Sequence, residues 1–315
     1  MRKNRFVLIS FFIVFALILT GCAQKAVTPA ATTEVSSAAT EVSSAEPTAE
    51  EKDAEVEEPA ASFSKENPLT LKVGASPVPH AEILAEIKDD LAEVGINLEI
   101  VEFTDYVLPN TALEDGSLDA NFFQHMPYLD DFNEAQKKDN ADWKDLVPMV
   151  YTHFEPMGIY KGKATSLADL KEGAKIAVPN DPTNEARALL LLEKNGLIKI
   201  AEGKGLEATK LDIVENTKNI EIVELEAAQV ALSLQDVDLG VINGNYALSA
   251  GLTLDDVLGV EDKDSEAAKK YANLVAVRIG EEELPQFIAL KEAITSEKVK
   301  KFIEEKYKGS VLPVF

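Results

Sequence analysis

The stretch LTLKVGASPVPHAEILAEIKDDLAEVGINLEIVEF, residues 69–103, decides the fold class of this chain. It predicts a strand over 69–73, followed by a helix over 81–94 whose apolar residues recur on one face and which Gly95 ends. A second strand is predicted over 98–103, and it is apolar almost throughout. Such a strand is typical of a parallel sheet that helices cover on both faces.

The same unit recurs further along the chain, with a strand over 175–178 and a helix over 183–195 that Gly196 ends. Further strands are predicted over 220–223, 239–242 and 274–277. A succession of strand, helix and strand indicates an α/β fold with mostly parallel sheets. The folded body is long enough that two lobes are favoured over one.

The first 21 residues are typical of a secretory signal peptide, with a basic start, an apolar run over 6–19 and the small residue Gly21. Cys22 follows directly, an arrangement that resembles a bacterial lipobox, so we expect Cys22 to be lipidated. It is the only cysteine in the sequence. Disulfides, thiolate metal clusters and a thiol nucleophile are therefore excluded.

Residues 22–66 combine this anchor with a segment of Ala, Ser, Thr, Val, Pro and Glu that has no apolar face to bury. We expect a disordered, acidic tether, whose length favours a Gram-positive surface lipoprotein. The whole chain has a formal net charge of -24, which argues against binding to nucleic acid. Beyond the leader no second apolar stretch is long enough to span a bilayer, so attachment would be through lipid.

Ligands of open parallel sheets bind beyond the carboxyl ends of the strands, so polar residues after strands are candidates. Arg187 is one of only two arginines downstream of the leader, and it lies one turn into a helix that Asp181 or Thr183 could cap. Its guanidinium could hold a carboxylate through two parallel hydrogen bonds. The alternative is an exposed arginine paired with Glu185.

Two other loops carry unusual residues. The run 119–128 gathers aromatic side chains with a histidine, which suits either a core or the wall of a largely apolar pocket. Asn243 ends an apolar strand and could accept from an ammonium while donating to a carboxylate, although Asn-Gly also favours a plain turn. By itself, Asn216 indicates no more than a loop.

Seven runs, taken together and in order, resemble the methionine-binding lipoproteins of bacterial ABC importers, the NlpA lipoprotein family. These runs are PHAEIL (79–84), EFTDYVLPN (102–110), DANFFQHMPYL (119–129), VPNDPTNEARALLLL (178–192), DIVEN (212–216), VINGNYAL (241–248) and KFIEEKYKGSVLPVF (301–315). The resemblance implies a two-lobed periplasmic-binding-protein fold of type II, with the ligand in the cleft. It places lobe 1 at residues 67–154 and 246–315, and lobe 2 at 155–245.

The resemblance also implies roles for individual residues. Arg187 matches the arginine that holds the ligand carboxylate, and Asn216 and Asn243 match asparagines that bond its amino and carboxylate groups. The wall around the thioether would comprise Tyr106, Phe123, His125 and Tyr128. Three positions depart from the family pattern near these contacts, namely Phe122, Ala186 and Thr217.

The implied function is capture of L- or D-methionine outside the cell, at the outer face of the cytoplasmic membrane, for a permease with two ATPase subunits. No catalysis, cofactor or metal is expected, and the body is expected to be monomeric. The alternatives are another amino acid such as glutamine, a methionine-containing dipeptide, or a lipoprotein that acts in adhesion. A hydrolase or a metal receptor would draw on His80, His125 and His153, whose spacing matches no metalloprotease motif.

Overall fold

The computed structural model describes residues 63–264 and 266–315. The predicted signal peptide, the predicted lipidation site Cys22 and residues 22–62 of the predicted tether lie outside this part of the chain. Residues 63–66, which the sequence assigned to the disordered tether, belong to the folded body instead, because Phe63 packs against an apolar core and Ser64 pairs with Asn67. In the described part, no helix combines the length and the apolar character that crossing a bilayer requires.

Strands and helices alternate along most of the described chain. The strands are β1 Leu69–Ala75, β2 Ile96–Glu102, β3 Ala120–His125, β4 Leu146–Phe154, β5 Gly158–Lys161, β6 Lys175–Pro179, β7 Lys199–Ile200, β8 Ile213–Glu215, β9 Glu221–Leu225, β10 Leu239–Ile242, β11 Val257–Val260, β12 Asn273–Arg278 and β13 Leu312–Pro313. The α-helices are α1 Glu82–Glu86, α2 Lys88–Glu93, α3 Leu108–Glu114, α4 Met126–Asp139, α5 Pro182–Lys194, α6 Ala227–Val230, α7 Gly244–Ser249, α8 Glu266–Lys270, α9 Pro285–Ile294 and α10 Glu297–Tyr307.

Two larger sheets share one strand order. The six-stranded sheet runs β2-β1-β3-β12-β4-β13 and the five-stranded sheet runs β9-β6-β10-β5-β11, while β7 and β8 form a small antiparallel pair. In each larger sheet three parallel strands are followed by an antiparallel one, β12 or β5. That antiparallel strand is the first one the chain forms after crossing from the other sheet. The chain thus has two α/β lobes with mixed sheets.

Each lobe has a core of its own. Strand β3 is buried at all of its positions, and β12 at all but the last, because helices and loops cover both faces of the first sheet. The second core packs α5 against β6 and β10 through fully buried residues such as Leu189, Ile176 and Val241. Burying one such side chain contributes about 1.5–3 kcal/mol, so each sheet is fixed mainly by these apolar strands.

The predicted helix over 81–94 exists, but it is interrupted. A helical turn begins earlier, at Pro77–Ala81, and α1 and α2 are separated at Ile87, whose N–H donates to Leu84 O instead of to the carbonyl four residues back. Gly95 ends the helix with φ +86°, a left-handed conformation that favours glycine.

The pairing of the strands also shows where the chain crosses between the sheets. The first crossing falls between β4 and β5, that is between residues 154 and 158. The second crossing comes later than the predicted boundary at residue 246, because β11 is hydrogen-bonded to β5 in the five-stranded sheet. Sheet pairing therefore assigns residues 257–260 to lobe 2, and the chain returns to lobe 1 with β12.

Candidate functional site

A cleft between the two lobes collects polar and aromatic side chains that follow strands. His125 ends β3, Asp181 precedes α5 after β6, and Asn243 follows β10. The cleft is lined by Tyr106, Phe123, Gln124, His125, Tyr128, Glu155, Asn184, Arg187, Asn243, Gly244, Asn245 and Asn273. Six of the seven ligand-binding residues predicted from the sequence therefore meet here.

Arg187 lies in α5, which begins after Asp181 as the sequence predicts: the Asp181 carboxylate accepts the Asn184 N–H at 2.9 Å. The arginine is 4% exposed. Its expected alternative partner, Glu185, instead accepts the backbone N–H of Lys210. The alternative of an exposed arginine is thus wrong, and Arg187 is a buried cation at the cleft.

The guanidinium of Arg187 is already held by the protein. Nε donates to Glu261 Oε1 at 2.7 Å, and Nη2 donates to Glu261 Oε2 at 2.6 Å and to Glu155 O at 2.9 Å. The ring of Tyr271 stacks on it, with its centroid 4.2 Å from the guanidinium carbon. Burial lowers the pKa of Arg187, but the ion pair with Glu261 more than offsets this and the pKa is raised. The fork predicted to grip a ligand therefore holds Glu261, and among the described residues Nη1 makes no hydrogen bond, so it is the nitrogen that a ligand could use.

A chain of amides fixes how Asn243 faces the cleft. The amide nitrogen of Asn184 donates to both carboxylate oxygens of Asp181, so Asn184 Oδ1 must act as an acceptor. It accepts the amide N–H of Asn243 at 2.8 Å and lies 3.2 Å from His125 Nε2. Asn243 Oδ1 is then buried without a hydrogen-bond partner among the described residues. The cleft thus presents an acceptor that has no donor.

The same network sets the state of His125. Its Nδ1 accepts the backbone N–H of Tyr128 at 3.3 Å, which leaves Nε2 to donate to Asn184. Burial and the nearby charge of Arg187 lower the pKa of His125 to about 3. His125 is therefore a neutral wall residue with a fixed tautomer at neutral pH.

Aromatic rings form the remaining wall of the cleft. The ring of Tyr106 lies 5.8 Å from each of Phe123 and Tyr128, and those two rings are 5.9 Å apart. The Tyr128 hydroxyl donates to Tyr106 O at 2.9 Å. The Tyr106 hydroxyl donates across the cleft to Asn245 Oδ1. These rings offer a polarizable apolar surface, and their hydroxyls already have partners.

Glu155 lies between the lobes, directly after β4, and is 5% exposed. Its Oε1 is 2.8 Å from His153 Nε2 and 3.4 Å from His80 Nε2. Burial raises the pKa of Glu155. Burial lowers the pKa of His80 to about 4 and that of His153 to about 3, so both imidazoles are neutral near pH 7. The carboxylate has neutral neighbours on its histidine side.

Two of the histidines whose spacing matches no metal-binding motif nevertheless come together in the fold. His80, His153 and Glu155 place their ligand atoms within 4.8 Å of one another, the kind of grouping that can hold a metal ion. However, neither histidine lines the cleft, because Glu155 and Asn273 stand between them and it. A substrate in the cleft would meet the carboxylate and not an imidazole of this pair.

Asn216 is the predicted site residue that the structure does not bring to the cleft. It follows β8, where its amide nitrogen donates to Ile220 O at 2.9 Å and its Oδ1 accepts Ile220 N–H at 2.7 Å. Both ends of the side chain therefore close a turn. The residues that the sequence analysis missed, chiefly Glu155, Asn184 and Glu261, had little local signal apart from the position of Asn184 in the quoted run 178–192.

Comparison with known proteins finds relatives that cover most of the described chain. A "D-methionine-binding lipoprotein MetQ" from Salmonella typhimurium is 48% identical over 219 residues, which cover 68% of this chain and 77% of that protein. A solved nutrient-binding protein from Burkholderia cenocepacia, bound to methionine, is 45% identical with a TM-score of 0.71, covering 78% of this chain and 100% of the other. A solved lipoprotein from Ruminococcus gnavus is 51% identical with a TM-score of 0.75, covering 78% and 99%. The profile of the NlpA lipoprotein also matches residues 71–315, and the chain accordingly belongs to the NlpA lipoprotein family.

Proposed function

We propose that this protein is the extracytoplasmic substrate-binding component of a methionine ABC importer and that it acts without catalysis. The observation that carries the proposal is the composition of the cleft. A buried guanidinium, an unpartnered amide oxygen and an aromatic wall face one enclosed space. Relatives named for methionine binding, and one solved with methionine bound, supply the identity of the amino acid.

The three parts of the cleft match the three parts of methionine. Arg187 would donate to the α-carboxylate through Nη1, and Asn243 Oδ1 would accept from the α-ammonium, since both residues line the cleft and this oxygen has no partner among the described residues. The rings of Tyr106, Phe123 and Tyr128 suit the thioether, since sulfur–aromatic contacts contribute about 0.3–1.5 kcal/mol each. The neutral His125 adds a polarizable edge without a charge.

Closure of the lobes would be the working step. Hydrogen bonds already cross the cleft from Tyr106 to Asn245 and from His125 to Asn184. A ligand that bridges Arg187 and the lobe 1 wall adds contacts that exist only in the closed state, and it shifts the equilibrium by that differential affinity. The closed form would then dock on the permease, while lipid on Cys22 and the tether keep the body at the outer face of the membrane, in a Gram-positive cell.

Calorimetric titration of the purified chain, unfolded and refolded to remove carried-over ligand, tests the proposal. L-methionine, D-methionine and L-glutamine would be titrated in parallel. We expect tight binding of at least one methionine isomer and weak or no binding of glutamine, whose amide would lie unpaired against the aromatic wall. Folded protein that binds none of the three, or that prefers glutamine, would refute it.

A further inference from the structure

We propose that Glu155, together with Oδ1 of Asn243, receives the α-ammonium of the ligand, so that the cleft selects amino acids with a free, cationic amino group. This inference rests on the proposed function and assigns to Glu155 a contact to the amino group, a group that the resemblance assigned only to the asparagines Asn216 and Asn243. Neither the sequence runs nor the named relatives assign Glu155 a role.

The first support is the charge around Glu155. Its two imidazole neighbours, His80 and His153, are buried, His80 Nδ1 has no hydrogen-bond partner among the described residues, and the nearest guanidinium, that of Arg187, is bidentate with Glu261. A buried carboxylate without a cation of its own is costly, whereas a cation that enters beside it is strongly favoured. The ammonium of an amino acid supplies that cation and stabilises the ionised form of Glu155.

The second support is that Glu155 lies next to Arg187, the proposed carboxylate anchor. In an α-amino acid the carboxylate and the ammonium are bonded to the same carbon, so their two subsites must touch. Here Nη2 of Arg187 donates a hydrogen bond to the backbone carbonyl of Glu155 at 2.9 Å, which fixes the acid and the guanidinium relative to each other. Asn243 Oδ1, the unpartnered acceptor, lines the same cleft.

The third support is the way the carboxylate is oriented. His153 holds Oε1 through Nε2, and its other ring nitrogen, Nδ1, is 3.0 Å from Thr152 Oγ1. His80 Nε2 donates to Asn273 Oδ1 at 2.9 Å. Oε2 lies beside Gly244, where a Cβ would come within 3.0 Å of it and 2.7 Å of Glu155 Cβ. The glycine thus allows the lobe 2 backbone to approach the acid closely. The histidines hold Oε1, the backbone N–H of Asn245 also donates to the carboxylate, and Glu155 lines the cleft.

A pair of ligands separates this role from a structural one. L-methionine and 4-(methylsulfanyl)butanoate differ by the amino group and share the carboxylate and the thioether. Truncating one partner of a buried charge pair costs about 2–5 kcal/mol, which is roughly 30-fold to several thousand-fold in Kd. We therefore expect the wild-type chain to bind the desamino acid at least about 30-fold more weakly than L-methionine.

Glu155→Gln keeps the shape of the side chain and an oxygen that can accept from His153. We expect this variant to lose at least about 30-fold in affinity for L-methionine, while its affinity for the desamino acid stays the same or increases. Glu185→Gln is the matched control, since Glu185 is equally buried in lobe 2 but does not line the cleft, and it should leave both affinities unchanged.

Each outcome decides one question. Equal losses for both ligands in Glu155→Gln would show a purely structural role and overturn the inference, as would wild-type affinity for L-methionine in that variant. Should the variant fail to fold, the wild-type comparison still decides, because similar affinities for the two ligands would contradict an ammonium subsite. A folded wild-type chain that binds no methionine would instead refute the proposed function.

Discussion

The ion pair between Arg187 and Glu261 allows the contribution of Arg187 to binding to be separated from its contribution to stability. Arg187→Met keeps a long side chain but leaves the carboxylate of Glu261, whose side chain is 10% exposed, without its cation. Breaking a buried pair in this way costs about 3–5 kcal/mol in the free energy of unfolding. Loss of the carboxylate donor should also weaken methionine binding by about 2–5 kcal/mol, roughly 30-fold to several thousand-fold.

The double variant Arg187→Met/Glu261→Gln removes the stranded charge as well. A glutamine oxygen can still accept the Met157 N–H, which donates to Glu261 Oε2 at 2.8 Å in the wild type. Because exchanging a buried ion pair for uncharged groups of similar size is often close to neutral, most of the unfolding free energy should return. The affinity for methionine should not return, since nothing replaces Nη1.

Urea denaturation followed by circular dichroism would measure the stability, and calorimetry the affinity. Arg278→Met is the matched control, because Arg278 is the other arginine of the body and holds Leu113 O and Leu118 O in lobe 1, away from the cleft. It should lower the stability and leave methionine binding within about twofold, as expected for sites without shared partners. A double variant that binds methionine like the wild type would refute the role of Arg187 as carboxylate anchor.

Three further predictions follow from the same contacts. Tyr106→Phe keeps the aromatic wall but removes the hydrogen bond to Asn245 across the cleft. Calorimetry should show methionine binding weakened by about 0.5–1.5 kcal/mol. An unchanged affinity would contradict a role of this bond in closure. Asn216→Ala should leave the affinity within about twofold, since the side chain closes a turn; a loss above about tenfold would restore the role implied by the sequence resemblance. The three buried histidines have pKa values of about 3 to 4 instead of 6.5, so between these values the unfolded state binds protons that the native state does not. The free energy of unfolding should therefore fall as the pH drops from about 6.5 towards 4. The raised pKa of Glu155 changes the free energy of unfolding in the opposite direction. Equal stability at pH 7.5 and pH 5 in urea denaturation would contradict the assigned burial of the histidines.

Much of the fold was predictable because it is written in local patterns. The strand over 69–73 alternates apolar and polar residues, those over 175–178 and 239–242 are short apolar runs, and all three have a neighbouring strand on each side. Strands β4, β5 and β11 were not predicted, since β4 mixes exposed and buried residues and the other two are only four residues long. The late return of the chain to lobe 1 follows from β11, whose sheet membership depends on pairing with β5 and not on its own sequence.

The residues of the candidate site likewise fall into those that the sequence could predict and those that it could not. Residues in long, unusual runs, such as Arg187, Phe123 and His125, could be placed in the cleft through the family resemblance. Glu155 could not, because its surroundings come from four distant segments: the turn that holds His80, strand β4, helix α7 and strand β12. No spacing rule within one segment encodes such a group.

The contrast between Asn216 and Asn243 shows what decides between two chemically equal side chains. Both are asparagines after strands, and the sequence comparison gave both a ligand role. Asn216 satisfies its donor and its acceptor on Ile220 within its own loop. Asn243 donates to Asn184 and keeps Oδ1 buried, with no partner in the part of the chain that the structure describes. A buried acceptor left without a donor costs about 1–3 kcal/mol, which a ligand that donates to it recovers. Asn243 therefore favours an ammonium in the cleft, and Asn216, already satisfied, has nothing to gain from one.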